Sequence, residues 1–306
     1  MKKIIEVDGL VKNYGDVQAV KGISFYVEEG KLFSFLGPNG AGKSTTIDTL
    51  CTLMDFDKGT VTINGYDLKN KAQAIRKNIG VVFQDSVLDN LLTVRENLII
   101  RAGLYEEDKK AIKKMVDDVV EIAQLSEFFK RPYGKLSGGQ RRRADIAAAL
   151  LHKPKILFLD EPTTGLDPQT RVVIWETIKK LQKESGMTIF LTTHYMEEAA
   201  ESDYIVVIDH GKIVAKGTPS ELKSKYASDS LRIVSNGDHS HAQIMKRFGL
   251  LKLDYSVAND IIIVKVADTM KALRILDLCK EHISSFQVLQ GTMDDAFIGI
   301  TGRDIR

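Results

Sequence analysis

The sequence predicts an α/β fold for most of the chain and a small α+β domain for the rest. Three continuous apolar runs, at residues 32–36, 155–160 and 187–193, have the length and composition of buried strands in a parallel sheet. In the last quarter of the chain, short strands and helices follow in the order β-α-β-β-α-β, which is typical of a ferredoxin-like domain. We therefore expect two domains, at residues 1–222 and 231–306.

Further elements of the first domain follow from the same patterns. Tyr14-Gly15-Asp16 predicts a turn between the first two strands, and the pair Asn64-Gly65 closes another. Helical spacing without proline over residues 93–129 predicts a helical subdomain, which we place at about residues 85–150. The remaining predicted strands are residues 4–7, 23–27, 59–66 and 79–85, and the remaining predicted helices are residues 44–53, 141–151 and 168–182.

The second domain is predicted from shorter segments. A polar stretch at residues 223–230 is expected to join it to the first domain. Asn259-Asp260 predicts a turn between two of its strands. Its predicted strands are residues 231–235, 251–257, 261–266 and 286–289, and its predicted helices are residues 241–248 and 269–281.

Composition and charge exclude several classes of protein. The 306 residues are 43% apolar, which can fill two cores and does not indicate disorder. The 43 basic and 41 acidic residues leave a formal charge of +2, so no strong field favours nucleic acid or anionic lipid. Cys51 and Cys279 fall in different predicted domains, and we expect buried thiols in a reducing cytosol. No nucleic-acid partner is expected.

The sequence also predicts no secretion signal and no membrane-spanning helix. Glu6 and Asp8 interrupt the apolar stretch that a signal peptide would need after Met1-Lys2-Lys3. No apolar run approaches the roughly 20 residues of a membrane-spanning helix. If the protein serves a membrane process, we expect another chain to provide the pore.

One nine-residue segment fits the phosphate-binding pattern of Gly, any four residues, then Gly-Lys-Ser/Thr. It follows a predicted buried strand and opens a predicted helix, which is the context that the motif requires. Its glycines allow backbone N–H groups to surround a polyphosphate at the helix N-terminus. Lys43 would contact the β- and γ-phosphates, and the Ser44 hydroxyl would bind Mg²⁺. The segment consists of Gly37, Pro38, Asn39, Gly40, Ala41, Gly42, Lys43, Ser44 and Thr45.

Polar residues end three of the predicted buried strands. Asp160 is expected to bind Mg²⁺ directly or through water, and Glu161, pointing elsewhere, to polarise the attacking water as a general base. Gln84 is expected to orient a water or to bind the metal. His194 is expected to contact the γ-phosphate or to hold the water and Glu161 together. Taken singly, Gln84 and His194 are also consistent with ordinary structural residues.

Two further features point to a nucleotide. Tyr14, upstream of the phosphate loop, is a candidate for stacking on adenine, although a turn tyrosine packed on its own strands is equally consistent with its position. Small residues before a second helix predict another anion-binding helix N-terminus, for which a simple capped helix start is the alternative. That segment is Leu136-Ser137-Gly138-Gly139-Gln140.

Taken in order, these motifs resemble the nucleotide-binding domain of ATP-binding cassette transporters over about residues 1–220. The Leu-Ser-Gly-Gly-Gln pentapeptide is specific to that superfamily among phosphate-loop proteins. The resemblance implies roles for single residues: Tyr14 as the A-loop aromatic, Gln84 as the Q-loop, Ser137, Gly138, Gly139 and Gln140 as the signature, Leu166-Asp167 as the D-loop, and His194 as the switch histidine. The implied cofactors are ATP and Mg²⁺.

The resemblance also implies partners. In the family, two such domains dimerise head to tail, and each ATP lies between the phosphate loop of one and the signature of the other. Since this chain holds one copy of each motif, we expect it to form a homodimer or a heterodimer of nucleotide-binding domains. A separate membrane-spanning permease would hold it on the cytoplasmic face of the cell membrane.

The end of the chain indicates a subgroup. Residues 292–303 resemble the chain ends of the daunorubicin-resistance type of ATP-binding subunit, which implies export of drugs, lipids, polysaccharides or ions. A terminal amphipathic helix packed on its own domain is compatible with the same residues. Two other functions stay open at this point: a soluble cassette ATPase acting on DNA or ribosomes, and an importer ATPase with a regulatory tail.

Overall fold

The computed structural model describes residues 2–266 and 268–302, so Arg303 of the C-terminal pattern lies outside the described residues. It divides into two compact units, Met1–Lys216 and Gly217–Arg306. The segment at residues 223–230, expected as the joint, falls within the second unit, where it spans the end of one helix and the start of a strand.

The first unit contains two sheets and seven α-helices within the described residues. Its strands are β1 (Lys3–Tyr14), β2 (Val17–Glu28), β3 (Leu32–Leu36), β4 (Lys58–Ile63), β5 (Tyr66–Asp67), β6 (Ile79–Val82), β7 (Ile156–Asp160), β8 (Thr188–Thr193), β9 (Tyr204–Asp209) and β10 (Lys212–Gly217), which ends at the border of the unit. Its helices are α1 (Lys43–Leu50), α2 (Ala72–Arg76), α3 (Val94–Ala102), α4 (Lys109–Ile122), α5 (Gly138–Leu150), α6 (Pro168–Ser185) and α7 (Met196–Ala200), with a short 3₁₀ turn at Tyr133–Lys135.

The larger sheet has six strands in the order β10-β9-β3-β8-β7-β6. β3 pairs in parallel with β8 and β9, and β7 pairs in parallel with β6 and β8. In this register Leu36 lies opposite Thr193, and Asp160 lies opposite Thr192. The carboxyl ends of β3, β7 and β8 therefore meet at one edge of the sheet, as the buried apolar runs predicted.

An antiparallel sheet, in the order β2-β1-β4-β5, forms the second layer of the unit. Aromatic rings join the layers: Phe25 on β2 stacks on Phe33 of β3 at 5.6 Å between ring centroids, and Phe33 stacks on Phe190 of β8 at 5.1 Å. Such pairs contribute about 0.5–1.5 kcal/mol each beyond the burial of their area. The loop after β3 therefore follows a strand that is held in a packed aromatic core.

The helical subdomain predicted from residues 93–129 contains two helices. Residues 103–108 separate them, and each helix has its own N-cap, at Thr93 or Asp108. The helix expected at residues 141–151 begins earlier, at Gly138. Its N-cap is Ser137, so Gly138, Gly139 and Gln140 of the pentapeptide belong to the first turn of the helix.

The second unit has a four-stranded sheet in the order β12-β13-β11-β14, with the strand and helix sequence of a ferredoxin-like domain. α9 and α10 cover one face around a buried cluster that includes Leu231, Ile244 and Ile262. α8 packs against α11, the terminal helix. The elements are α8 (Pro219–Tyr226), β11 (Asp229–Ser235), α9 (Asp238–Leu250), β12 (Tyr255–Ala258), β13 (Ile261–Val266), α10 (Thr269–Cys279), a 3₁₀ turn at Lys280–His282, β14 (Ile283–Leu289) and α11 (Met293–Thr301).

Across residues 2–266 and 268–302, no helix has both the length and the apolar character needed to cross a membrane.

Candidate active site

The phosphate loop is packed so tightly that two of its positions require glycine. A Cβ at Gly37 would lie 2.3 Å from the carbonyl oxygen of Ile208. Gly42 has φ = 105°, and a Cβ there would lie 2.8 Å from the carbonyl oxygen of Ala19. Gly42 is also the N-cap of α1 and supplies no side-chain cap, so the first N–H groups of the helix stay available to an anion.

Lys43 is the buried cation of the site. Its side chain is 4% exposed, and Nζ donates to the carbonyl oxygens of Gly37 at 2.8 Å and Pro38 at 3.2 Å. Nζ also lies 3.3 Å from Glu161 Oε1. Burial lowers the pKa of Lys43, although the carboxylates of Glu161 and Asp160 oppose that shift. The Lys43 ammonium group is thus surrounded by oxygen atoms, and the oxygens of a phosphate could take their place.

Glu161 has an unusual backbone conformation for a residue other than glycine, with φ = 45°. Its N–H group donates to the carbonyl oxygen of Thr192 at 3.2 Å and to Thr192 Oγ1 at 3.1 Å. Residues in this region store about 1–3 kcal/mol of strain and persist where the surroundings fix them, often at functional sites. The strained turn directs the side chain to Lys43 and His194 while Asp160 stays in the strand.

The carboxylate of Glu161 lies between the side chains of Lys43 and His194. Oε1 faces Lys43, and Oε2 lies 3.2 Å from His194 Nδ1 and accepts a hydrogen bond from Thr164 Oγ1 at 3.2 Å. Burial opposes the ionised form, but Lys43 and His194 outweigh it and hold the pKa of Glu161 below its usual value. Glu161 is therefore ionised at neutral pH, as a general base must be.

Asp160 is buried and accepts a hydrogen bond from Thr192 Oγ1. Burial raises the pKa of Asp160, and the neighbouring Glu161 adds to the rise. The pKa of Asp48 on α1 is raised by burial and by Asp160. A nearby cation would stabilise these closely spaced carboxylates, because it would offset the cost of burying their charge and reduce the repulsion between them.

A magnesium ion fits this site only if phosphate oxygens supply part of its coordination. Within the part of the chain that the structure describes, no group of three or more His, Cys, Asp or Glu side chains could hold a metal. Mg²⁺ commonly binds through one or two protein oxygens together with substrate phosphates and water. The exposed hydroxyl of Ser44 and the buried carboxylate of Asp160 match that pattern.

His194 follows β8, and its ring contacts Tyr195 at 4.1 Å between centroids. Its side chain is 20% exposed. Nδ1 lies close to Glu161 but makes no well-aligned hydrogen bond. The structure therefore brings Lys43, Asp160, Glu161 and His194 together at the carboxyl edge of the parallel sheet.

Gln84 lies in the loop after β6, and its side chain is exposed. Its carbonyl oxygen accepts a hydrogen bond from Arg142 Nη2 at 3.2 Å, and that of Phe83 accepts one from Arg142 Nη1 at 2.6 Å. Arg142 was missed by sequence reasoning. The run Arg141-Arg142-Arg143 after the signature was the available signal, but such a run is more often a solvated face of a helix.

The signature forms the capped start of α5. Ser137 Oγ accepts from the Gln140 N–H group at 3.3 Å, and the Ser137 N–H group donates to Gln140 Oε1 at 3.2 Å. Ser137 and Gly138 are exposed, whereas Gly139 is buried against Thr170 of α6. The capped-helix alternative and the anion-site interpretation are thus compatible, since the exposed face of the helix start remains open.

Asp167 caps the next helix. Its carboxylate accepts from the Thr170 N–H group at 3.0 Å and from Thr170 Oγ1 at 2.6 Å, and these bonds lower its pKa. A Cβ at Gly138 would meet Leu166 at 3.0 Å. The signature and Leu166-Asp167 therefore pack against each other.

Tyr14 ends β1, and its ring is 47% exposed. The hydroxyl donates to Met54 Sδ at 2.9 Å, and Lys12 Nζ lies 5.5 Å from the ring centroid. Tyr14 is thus about half exposed, and its role in stacking on adenine stays a prediction.

Comparison with known proteins identifies the family. The ABC transporter family matches residues 20–164. DrrA of Streptomyces peucetius, a daunorubicin/doxorubicin resistance ATP-binding protein, is 37% identical, and the match covers 98% of this chain and 93% of DrrA. The chain belongs to the ATP-binding cassette family. LnrL of Bacillus subtilis, a linearmycin resistance ATP-binding protein, is 36% identical to this cassette over 99% of the chain and 100% of LnrL.

Solved structures agree with this assignment. A dimeric ATP-binding cassette in a post-hydrolysis state, bound to ADP and phosphate, matches with a TM-score of 0.64 and 29% identity. The match covers 70% of this chain and 98% of that one. The predicted family, fold class and ATPase activity are confirmed, and ATP is the ligand of the cassette.

Proposed function

We propose that this cassette is the ATP-hydrolysing subunit of an exporter and acts through a separate membrane-spanning permease. The names of DrrA and LnrL support export of a drug-like molecule, and both matches extend over nearly the whole chain, including the second unit. Lipids, polysaccharides and ions are the other cargo classes that we expected from the sequence. The proposal places the protein on the cytoplasmic face of the membrane, held there by its permease.

The observation that carries the chemistry is the position of Glu161 between Lys43 and His194. With ATP bound, Lys43 and the N–H groups of the phosphate loop would hold the β- and γ-phosphates, which withdraws Lys43 from Glu161. The carboxylate of Glu161 would then accept a proton from the attacking water. His194, beside Glu161 Oε2, would hold that water and the γ-phosphate in line.

Mg²⁺ belongs to the proposal as well. Ser44, Asp160 and Gln84 are the residues that would hold it, with phosphate oxygens completing its coordination. The ion would neutralise charge that develops on the phosphates during hydrolysis. Asp160 lies in β7 and accepts a hydrogen bond from Thr192, so its carboxylate would already be held in position when the ion binds.

We propose that two cassettes bind ATP between the phosphate loop of one and the signature of the other. Ser137 and Gly138 are exposed at the start of α5 and would meet the γ-phosphate across the interface. The adjacent Asp167 would lie at the same interface. A dimeric solved cassette supports this arrangement, and either two copies or two related chains satisfy it.

The permease would dock on the helical subdomain. Apolar side chains are exposed both on the loop that follows Gln84 and at the end of α3, and Arg101 Nη2 of α3 joins the two segments by donating to the carbonyl oxygen of Val87 at 3.2 Å. Patches of this kind mark interaction sites. The exposed members are Val87, Leu91, Ile100, Leu104 and Tyr105, with Leu91 89% exposed.

Affinity purification from detergent-solubilised membranes tests the proposal. Glu161→Gln cassette would be captured with ATP and Mg²⁺, and the proteins that accompany it identified. A multi-span membrane protein is expected, and Leu91→Asp should release it whereas Leu250→Asp, at a 77% exposed residue of the second unit, should not. Recovery of ribosomal or DNA-repair proteins instead would overturn the exporter assignment and leave only the ATPase chemistry.

A further inference from the structure

A buried carboxylate joins two of the segments that form the catalytic edge of the sheet. Glu198, on α7, is 5% exposed. Glu198 Oε2 accepts a hydrogen bond from Thr193 Oγ1 at 2.6 Å, and Glu198 Oε1 accepts one from Thr163 Oγ1. Both threonines are fully buried. One side chain thus joins the segment after β7 to the end of β8.

These two threonines flank the residues to which the reaction is assigned. Thr163 follows Glu161 by two positions, and Thr193 immediately precedes His194. Thr193 Oγ1 also accepts from the N–H group of Tyr195 at 2.9 Å, so hydrogen bonds fix the backbone on both sides of His194.

The energetics favour a fixed position for this carboxylate. A buried polar group is costly unless hydrogen bonds satisfy it. Glu198 receives a hydroxyl donor at each oxygen. Movement of Thr163 away from Thr193 would leave one oxygen without its donor, so the pair resists separation.

We infer that Glu198 is a positioning residue for ATP hydrolysis, which fixes the distance between Glu161 and His194 by binding Thr163 and Thr193. This inference rests on the proposed roles of Glu161 and His194. The hydrogen bonds of Glu198 run to Thr163 and Thr193 and not to the residues that we propose hold the nucleotide. Loss of Glu198 should therefore lower kcat and leave KM for ATP unchanged.

The matched pair Glu198→Gln and Glu197→Gln tests the inference in the purified full chain with ATP and Mg²⁺. The two residues are adjacent on α7, but Glu197 is exposed. Glu198→Gln should lower kcat about 10–100-fold, since misplacement of a reacting group by about 1 Å has an effect of that size. Glu197→Gln should behave as the wild type. Equal kcat in the two variants would overturn the inference.

Counting the chains that bind nucleotide separates positioning from general destabilisation. Titration with a fluorescent nucleotide gives the fraction of each preparation that binds ATP, and kcat is then expressed per binding-competent chain. A lower kcat per binding-competent chain in Glu198→Gln supports positioning. A wild-type kcat per binding-competent chain would overturn it, because the variant would then only reduce the amount of folded protein.

A second pair of variants tests the inference if the Glu198→Gln protein does not fold. Thr163→Val removes the hydroxyl at nearly constant volume, and Thr163→Ser keeps it. Thr163→Val should have a lower kcat and Thr163→Ser should keep the wild-type kcat; equal activity in both would overturn the inference.

Glu161→Gln separates the positioning role of Glu198 from the proposed role of Glu161, because undiminished hydrolysis in that variant contradicts the role of Glu161 itself. If Glu161→Gln is inactive and Glu198→Gln is not, only the positioning role fails.

Discussion

Lys43 Nζ lies 3.3 Å from Glu161 Oε1, so the cation of the phosphate loop and the carboxylate after β7 form a buried ion pair. Each side chain is at most 12% exposed. Removing one partner of a buried pair typically costs about 3–5 kcal/mol, because the other charge is left uncompensated. A phosphate that takes over Lys43 would free Glu161 for water, which links nucleotide binding to activation of the base.

Glu161→Gln should bind ATP but hydrolyse it about 10²–10⁴-fold more slowly, which is the usual contribution of a general base. Binding should persist because Lys43 keeps its bonds to Gly37 and Pro38 and gains freedom to meet a phosphate. Titration with a fluorescent nucleotide and phosphate release under single-turnover conditions measure the two effects. Glu176→Gln, at an exposed residue of α6, is the matched control. Wild-type hydrolysis in Glu161→Gln would exclude this role.

Tyr14→Ala should weaken ATP binding by about 1–3 kcal/mol, the value for stacking of one base on an aromatic ring. Tyr14→Phe keeps the ring and removes only the hydroxyl bond to Met54, so it should bind as the wild type. Isothermal titration of both variants with ATP measures the difference. A similar loss in both would assign the effect to the hydroxyl, and no loss in either would remove Tyr14 from the adenine site.

Polar residues after apolar runs marked the ends of the buried strands, so the sequence assigned Asp160, Glu161 and His194 to one reaction, together with Lys43 of the phosphate loop. In the structure the side chains of these four residues lie together at the carboxyl edge of the parallel sheet. The start of α5 was predicted too late, since Ser137 caps the helix and draws Gly138 into it.

Other contacts had no local signature. Arg142 reaches Phe83 across 59 residues, and Thr163 reaches Glu198 across 35. Pairing of this kind depends on how two helices pack on the sheet, and a single sequence does not contain that geometry.

Gly139→Ala should separate the signature from α6. The new Cβ would lie 2.2 Å from Thr170 Cγ2, and such overpacking typically costs about 1–3 kcal/mol. Thr170→Ser removes that methyl group and keeps the hydroxyl that binds Asp167. We therefore expect Gly139→Ala to lower Tm and ATPase activity, and the double variant to recover both. The double variant should resemble Gly139→Ala if the clash is not the cause.

Asp145→Asn should alter the pH dependence of stability. Asp145 Oδ1 accepts from Ser86 Oγ at 2.6 Å and from Tyr133 OH at 3.0 Å, and an asparagine oxygen could accept both bonds. Burial raises the pKa of Asp145, although those bonds and the nearby arginines Arg142 and Arg101 oppose the rise.

A folded-state pKa above the unfolded value means that the native state binds the proton more tightly, so this carboxyl stabilises the fold most at low pH. That contribution is lost as pH rises from the unfolded value through the raised folded value. The wild type should therefore match Asp145→Asn at acidic pH and become less stable than it toward neutral pH. Thermal unfolding at a series of pH values measures the gap, with Asp117→Asn, at an exposed residue of α4, as the control. A stability difference that stays constant with pH would contradict this prediction, because the difference grows with pH only if the carboxyl of Asp145 titrates.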